Sequence, residues 1–169
     1  CSSFGSFKVK FSTVNIFSII EQVDDICKKI GNTAKLRLDF NGILDLPRSI
    51  RLVKELEPLK DKVEYIEQPI KHDVDCLEDT AELRRHTDIP VALDESARDI
   101  DSIEKIIKAQ AADVIVVKPM CSGSIKDIIK IKKLADKNGL TVVLSSMFDG
   151  PVSYLSSIHL SAALNIQFP

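Results

Sequence analysis

The chain has no tryptophan, two tyrosines and an aromatic content of 5%. A core of stacked rings is therefore excluded, and aliphatic side chains must fill the interior. Apolar runs are all too short to span a bilayer, and no signal-peptide pattern is legible near Cys1. The four cysteines, Cys1, Cys27, Cys76 and Cys121, lie far apart with no CxxC pair. That argues against a thiolate metal site and suits a reducing, cytoplasmic setting. Lys+Arg 23 against Asp+Glu 25 leaves a net charge of -2, which removes the electrostatic case for nucleic acid or a membrane surface.

What is present is a chain of 169 residues, 44% hydrophobic, enough to bury the core of one domain spanning residues 1–169. One pattern recurs along it. "FKVKF" (7–11) reads as a strand, and Ile16, Ile19, Ile20, Val23, Ile26, Cys27 and Ile30 follow at helical spacing. "KLRLDF" (35–40) precedes a helical stretch from Leu46 to Leu59 ended by the Pro58 region, and "VEYIE" (63–67) precedes a helix ending near His86. "IPVALD" (89–94) leads to a helix whose Asp101 and Glu104 fit a capping box. "DVIVVK" (113–118) leads to a helix from Ser124 to Lys137 closed by Gly139, and "LTVVLSS" (140–146) to a last helix through Leu164. Six strands alternating with six helices predict an α/β fold with a parallel sheet.

The strand endings choose between a doubly wound sheet and a barrel. The last polar residues are Lys10, Asp39, Glu67, Asp94, Lys118 and Ser145, at intervals of roughly 24–29 residues, each about one βα unit. A doubly wound sheet uses only the strands beside its switch point, whereas a TIM-type (β/α) barrel gathers every carboxyl end at one mouth. Six reactive endings favour the barrel. Asp39, Glu67 and Asp94 offer three hard oxygen donors suited to Mg²⁺ or Mn²⁺. Lys10 and Lys118 flank them in sequence, and a partly desolvated lysine near a metal is a base near neutral pH. The chemistry this suggests is removal of a proton beside the carboxylate of a small molecule.

"FKVKF", "LRLDFNG", "YIEQPI", "ALDES" and "VVKP", in this order and spacing, resemble the enolase superfamily in its muconate-lactonizing branch. The resemblance runs from Lys8 to about Leu164. It implies about six βα units of the enolase C-terminal barrel domain, without the N-terminal capping domain and without the ends of the barrel. It further implies that Lys10 is the catalytic lysine and Lys8 tunes it, that Asp39, Glu67 and Asp94 hold Mg²⁺, and that Lys118 is the opposing lysine. "ALDES", "KPMCSGS" and "LSSMFDGPV" look most like the o-succinylbenzoate synthases of menaquinone synthesis, carbon–oxygen lyases. In that reading Lys10 removes the α-proton and returns it to the departing hydroxide. Lys118 stays protonated beside the enediolate, and Ser145 and Ser146 lie along the succinyl arm. A dipeptide epimerase or N-acylamino acid racemase is the alternative within the branch, and a catalytically silent or assembly module the alternative outside it.

Blander roles stand beside these. A strand-end lysine can snorkel to solvent, and a strand-end carboxylate can cap a helix. Glu95 either replaces Asp94 as a ligand or pairs with a lysine. Asn41 either accepts a metal-bound water or serves the turn before Gly42. His72, His86 and His159 read as surface or structural residues, and His159 falls inside the last helix, which disfavours a histidine base. Open strand edges predict self-association or a complementing chain, and a mouth without its cap predicts little turnover by this chain alone.

Overall fold

The computed structural model describes residues 4–31, 34–72 and 76–166; Cys1 lies outside them. Two compact units divide the chain, residues 1–91 and 92–169.

In the first unit β1 (Ser6–Lys10), β2 (Lys35–Asp39) and β3 (Val63–Glu67) run parallel in that order. They alternate with α1 (Ile16–Ile30), α2 (Leu46–Leu56) and α3 (Cys76–Arg84). Asn15 and Asp45 start α1 and α2 by accepting hydrogen bonds from the Ser18 and Arg48 amides, which satisfies donors that the first helical turn leaves orphaned. The helical stretch expected to reach Leu59 ends as α-helix at Leu56 and continues as a 3-10 turn, Glu57–Lys62. Pro58 has no amide to donate, so the i→i−4 ladder cannot pass it. Ile19, Val23, Leu36, Leu38, Leu52, Leu56 and Ile66 are fully buried between helices and strands. Phe11 and Phe40 stack with their centroids 5.1 Å apart.

In the second unit β4 (Val91–Leu93), β5 (Val114–Val117) and β6 (Thr141–Leu144) are parallel, with α4 (Ile100–Ala109), α5 (Ile125–Lys137) and α6 (Pro151–Ala163) between and after them. β4 is shorter than the expected 89–94. Pro90, just before it, offers only its carbonyl, which accepts the Ile66 amide at 2.9 Å. The capping box of α4 is formed by Asp99 and Ser102 rather than Asp101 and Glu104. Asp99 is the last extended residue before the helix, and only there can a side chain reach the orphan amide of Ser102. α5 ends at Lys137 as expected but starts at Ile125, because Ser124 is its N-cap, with Asp127 closing the box. α6 reverses the usual pattern: Ser157 and Ser161 are buried, while Val152, Tyr154, Leu155 and Ile158 are exposed. His159 lies within α6 and is exposed. Among the described residues no helix is long and apolar enough to cross a membrane.

Candidate active site

Register builds the set of candidate residues in the first unit. In the ladder Lys10 pairs with Asp39 and Asp39 with Glu67, so the last residues of β1, β2 and β3 form one row. One repeat of the pleat earlier lies a second row, Lys8, Arg37 and Tyr65, on the same face. Asp39 and Glu67 are fully buried, and a buried carboxylate must be paired. The Lys8 ammonium lies 2.7 Å from Glu67 Oε1 and 3.0 Å from Asp39 Oδ2. Lys10 Nζ lies 3.2 Å from the same Asp39 oxygen and donates at 3.5 Å to Asn41 Oδ1. Burial pulls the Lys8 pKa down, but the charge and hydrogen bond of Glu67, with those of Asp39, outweigh it and hold Lys8 above the ordinary lysine value. Lys8 is thus a fixed cation. Lys10, with 64% of its side chain exposed, is the more accessible of the two lysines.

The turn after β2 serves this row. Asn41 takes a left-handed φ of 44° and donates its amide to Asp39 Oδ1 at 3.0 Å. Gly42 follows at φ 73°, where a Cβ would stand 2.9 Å from the Lys71 Cα, so only glycine lets the two turns pass this closely. Gln68, fully buried at φ 38°, accepts the Gly42 amide on its carbonyl and donates its side chain to the Ile70 carbonyl. Asn41 is therefore a turn residue placed within reach of Lys10.

Sequence reasoning missed Arg37 and Tyr65. The β2–β3 register shifts at Leu36/Arg37, and Arg37 reaches both the Glu64 carboxylate, 2.6 Å away, and the face of Tyr65, 5.3 Å away. Burial lowers the Arg37 pKa, but the hydrogen bond and charge of Glu64, together with Tyr65 and Glu67, outweigh it and hold Arg37 above its ordinary value. Burial also pushes the Tyr65 phenol up to about 12. The only sequence signal for Arg37 was its place two residues before Asp39, on the same strand face.

The second unit carries its own set of candidate residues. Lys118, one residue past β5, holds Asp94 Oδ2 at 2.5 Å; their side chains are 22% and 5% exposed. Asp94, not Glu95, is the carboxylate that grips this lysine. Glu95 is half-buried, and its carbonyl accepts the Arg98 Nε at 2.9 Å. Ser145 donates its amide to the Val117 carbonyl and is half-buried, whereas Ser146 is exposed. A cavity of about 320 Å³ opens here, lined by Asp94, Glu95, Arg98, Lys118, Cys121 and Met147 among others.

Among the described residues no three histidine, cysteine, aspartate or glutamate side chains form a ready-made metal cluster. The chemistry of the donors nevertheless fits a hard cation. The buried carboxylates of Asp39 and Glu67 are drawn onto ammonium groups that stand where positive charge is demanded, and Asp39 Oδ2 has two of them.

The family model "Enolase C-terminal domain-like" matches residues 2–168. An o-succinylbenzoate synthase of Thermobifida fusca is 31% identical over 145 residues, covering 86% of this chain and 43% of its own. An L-Ala-D/L-Glu epimerase of Clostridium acetobutylicum is 33% identical over 147 residues, covering 87% and 40%. Among solved structures, a substrate-liganded L-Ala-D/L-Glu epimerase of Bacillus subtilis superposes with a TM-score of 0.87 at 26% identity, covering 95% of this chain and 44% of that one. The chain spans less than half the length of the curated relatives it matches. Its six βα units have the fold of the TIM-type barrel domain in these enzymes. By the family match over nearly its whole length, this chain belongs to the enolase C-terminal domain-like family.

Proposed function

We propose that the protein of which this chain is part removes a proton α to a carboxylate with Mg²⁺ bound, and eliminates hydroxide in the manner of an o-succinylbenzoate synthase. The observation that supports this most is that each of two strand-end lysines rests on a strand-end carboxylate, Lys10 on Asp39 and Lys118 on Asp94. Asp39, Glu67 and Asp94 are the proposed metal ligands. When bound, the ion supplies Lewis-acid neutralisation of charge growing on the substrate carboxylate.

The chain's own residues supply the rest. Lys10 Nζ takes the α-proton and later delivers it to the departing hydroxide, so one amine serves as base and then acid. Lys8 remains protonated and pairs with Asp39 and Glu67. Lys118, held by Asp94, stays cationic and stabilises negative charge on the enediolate. Ser145 and Ser146 are proposed to border the substrate arm.

The epimerase reading is favoured by one observation: Lys118 lines an open cavity, where it has room to exchange a proton itself. Deuterium exchange at the substrate α-carbon separates the two. Lys10→Ala is expected to abolish exchange, and full exchange in that variant sinks Lys10 as the base. Lys118→Arg keeps the charge but not an easily deprotonated amine, so a synthase retains activity and an epimerase loses one direction.

A further inference from the structure

Two surfaces take no part in the proposed chemistry, and each offers what the other lacks. The first is a groove of about 380 Å³ in the first unit, lined by Phe17, Ile20, Glu21 and Asp24 of α1, Glu55 of α2 and Leu59 of the 3-10 turn, among others. Phe17 is 76% exposed, an apolar ring that folding leaves in water. Asp24 pairs with Lys28, whereas the Glu21 and Glu55 carboxylates have no side-chain partner among the described residues. No described lysine or arginine lines the groove. Its floor is apolar and its rim is acidic.

The second surface is α5, in the second unit. Lys126, Lys130, Lys133 and Lys137 are exposed and recur at intervals of four, three and four residues. They therefore fall within about 60° of arc on one face of the helix. Lys130 reaches Asp127 at 3.2 Å, while Lys126, Lys133 and Lys137 have no ion pair among the described residues. Like charges one turn apart repel, and Lys126 stands in the first turn, where the helix dipole disfavours a cation. Forming the helix does not call for this row; an anionic surface does. Ile125, 61% exposed, and half-buried Ile129 run along its edge.

We propose that α5 of one copy docks on the α1 groove of a second copy. The lysine row meets Glu21, Asp24 and Glu55, and Ile125 enters the apolar floor of Phe17, Ile20 and Leu59, with lysine stems covering the ring. A nucleic acid would satisfy the lysines but leave the groove empty, whereas a second copy answers both surfaces. The contact joins unlike surfaces, so every copy offers both halves.

Sedimentation equilibrium of this chain at rising concentration is expected to show association that weakens as salt is added. Glu21→Lys with Glu55→Lys, and separately Lys126→Glu with Lys133→Glu, should each weaken it about tenfold or more. All four positions are exposed, and circular dichroism checks that the fold is kept. Mixed in equal amounts, the two double variants should associate again, because a basic groove then meets an acidic helix. Phe17→Ser leaves every charge in place and should weaken association at all salt concentrations. A monomer at every concentration overturns the proposal. So does association that survives both double variants, as pairing of open strand edges would. Loss in the helix variant alone gives α5 another partner surface and overturns it too, as does a mixture that fails to associate.

Discussion

Lys8 on β1 and Glu67 on β3 are 59 residues apart in sequence, yet their side chains meet at 2.7 Å. Between them on β2, Asp39 takes the same ammonium at 3.0 Å. One lysine thus pairs with two carboxylates that are both fully buried, and this makes Lys8 a structural cation.

Replacing Lys8 by methionine should therefore expose the charge problem. The variant leaves Asp39 and Glu67 buried with less compensation, and a loss of about 2 kcal/mol is expected after discounting for the part-exposed lysine. Urea unfolding measures it. Added Mg²⁺ should restore stability more in Lys8→Met than in the unaltered chain, and equal effects of Mg²⁺ on both would contradict the charge argument.

Glu67→Gln keeps the shape of the side chain and removes its charge. If Glu67 is a metal ligand, calorimetry should find Mg²⁺ affinity reduced at least tenfold. Unchanged affinity would take Glu67 out of the ligand set.

Tyr65 predicts an alkaline limit. Its phenol is pushed from 10.0 up to about 12, chiefly by burial. The unfolded chain loses this proton first, so the stabilisation is whole below pH 10 and is lost as pH rises from about 10 to 12. With no tryptophan and only two tyrosines, tyrosinate absorbance resolves the event. Subtracting the titration of Tyr65→Phe should leave a late-ionising component, and one that ionises at the ordinary phenol value would refute the burial.

α5 predicts an acid limit. Ser124 hydrogen bonds hold the Asp127 carboxyl down at about 2 from 3.8. A depressed carboxyl stabilises the fold above the unfolded value, and that contribution disappears as pH falls from 3.8 towards 2. Ser124→Ala should cost about 1 kcal/mol at neutral pH and flatten this part of the pH–stability curve. An identical acid transition in the variant would show that the cap does not set it.

Much of the fold follows from short-range pattern. Apolar runs closed by a polar residue, followed by 3.6-periodic stretches, are local properties of the chain, so β3 at Val63–Glu67 and the end of α5 at Lys137 were legible directly. The errors were local as well. Pro58 and Pro90 shorten their elements through one missing amide each, and Asp99 displaces the expected capping pair by two residues.

The identity of the strand-end residues, Lys10, Asp39, Glu67, Asp94 and Lys118, was determined by sequence alone, because each is the last polar residue of a strand pattern. Which of them touch was decided only by tertiary structure. Lys8 bridges Asp39 and Glu67 because parallel register aligns β1, β2 and β3, and Arg37 reaches Glu64 because that register shifts beside it. Arg98 and Lys118 line one cavity because β4 and β5, whose following loops carry them, are paired. In α6 the periodicity marked a helix, but packing turned Ser157 and Ser161 inward and left Leu155 and Ile158 outside. Periodicity records that a helix has two faces, and only the neighbouring elements determine which of them is buried.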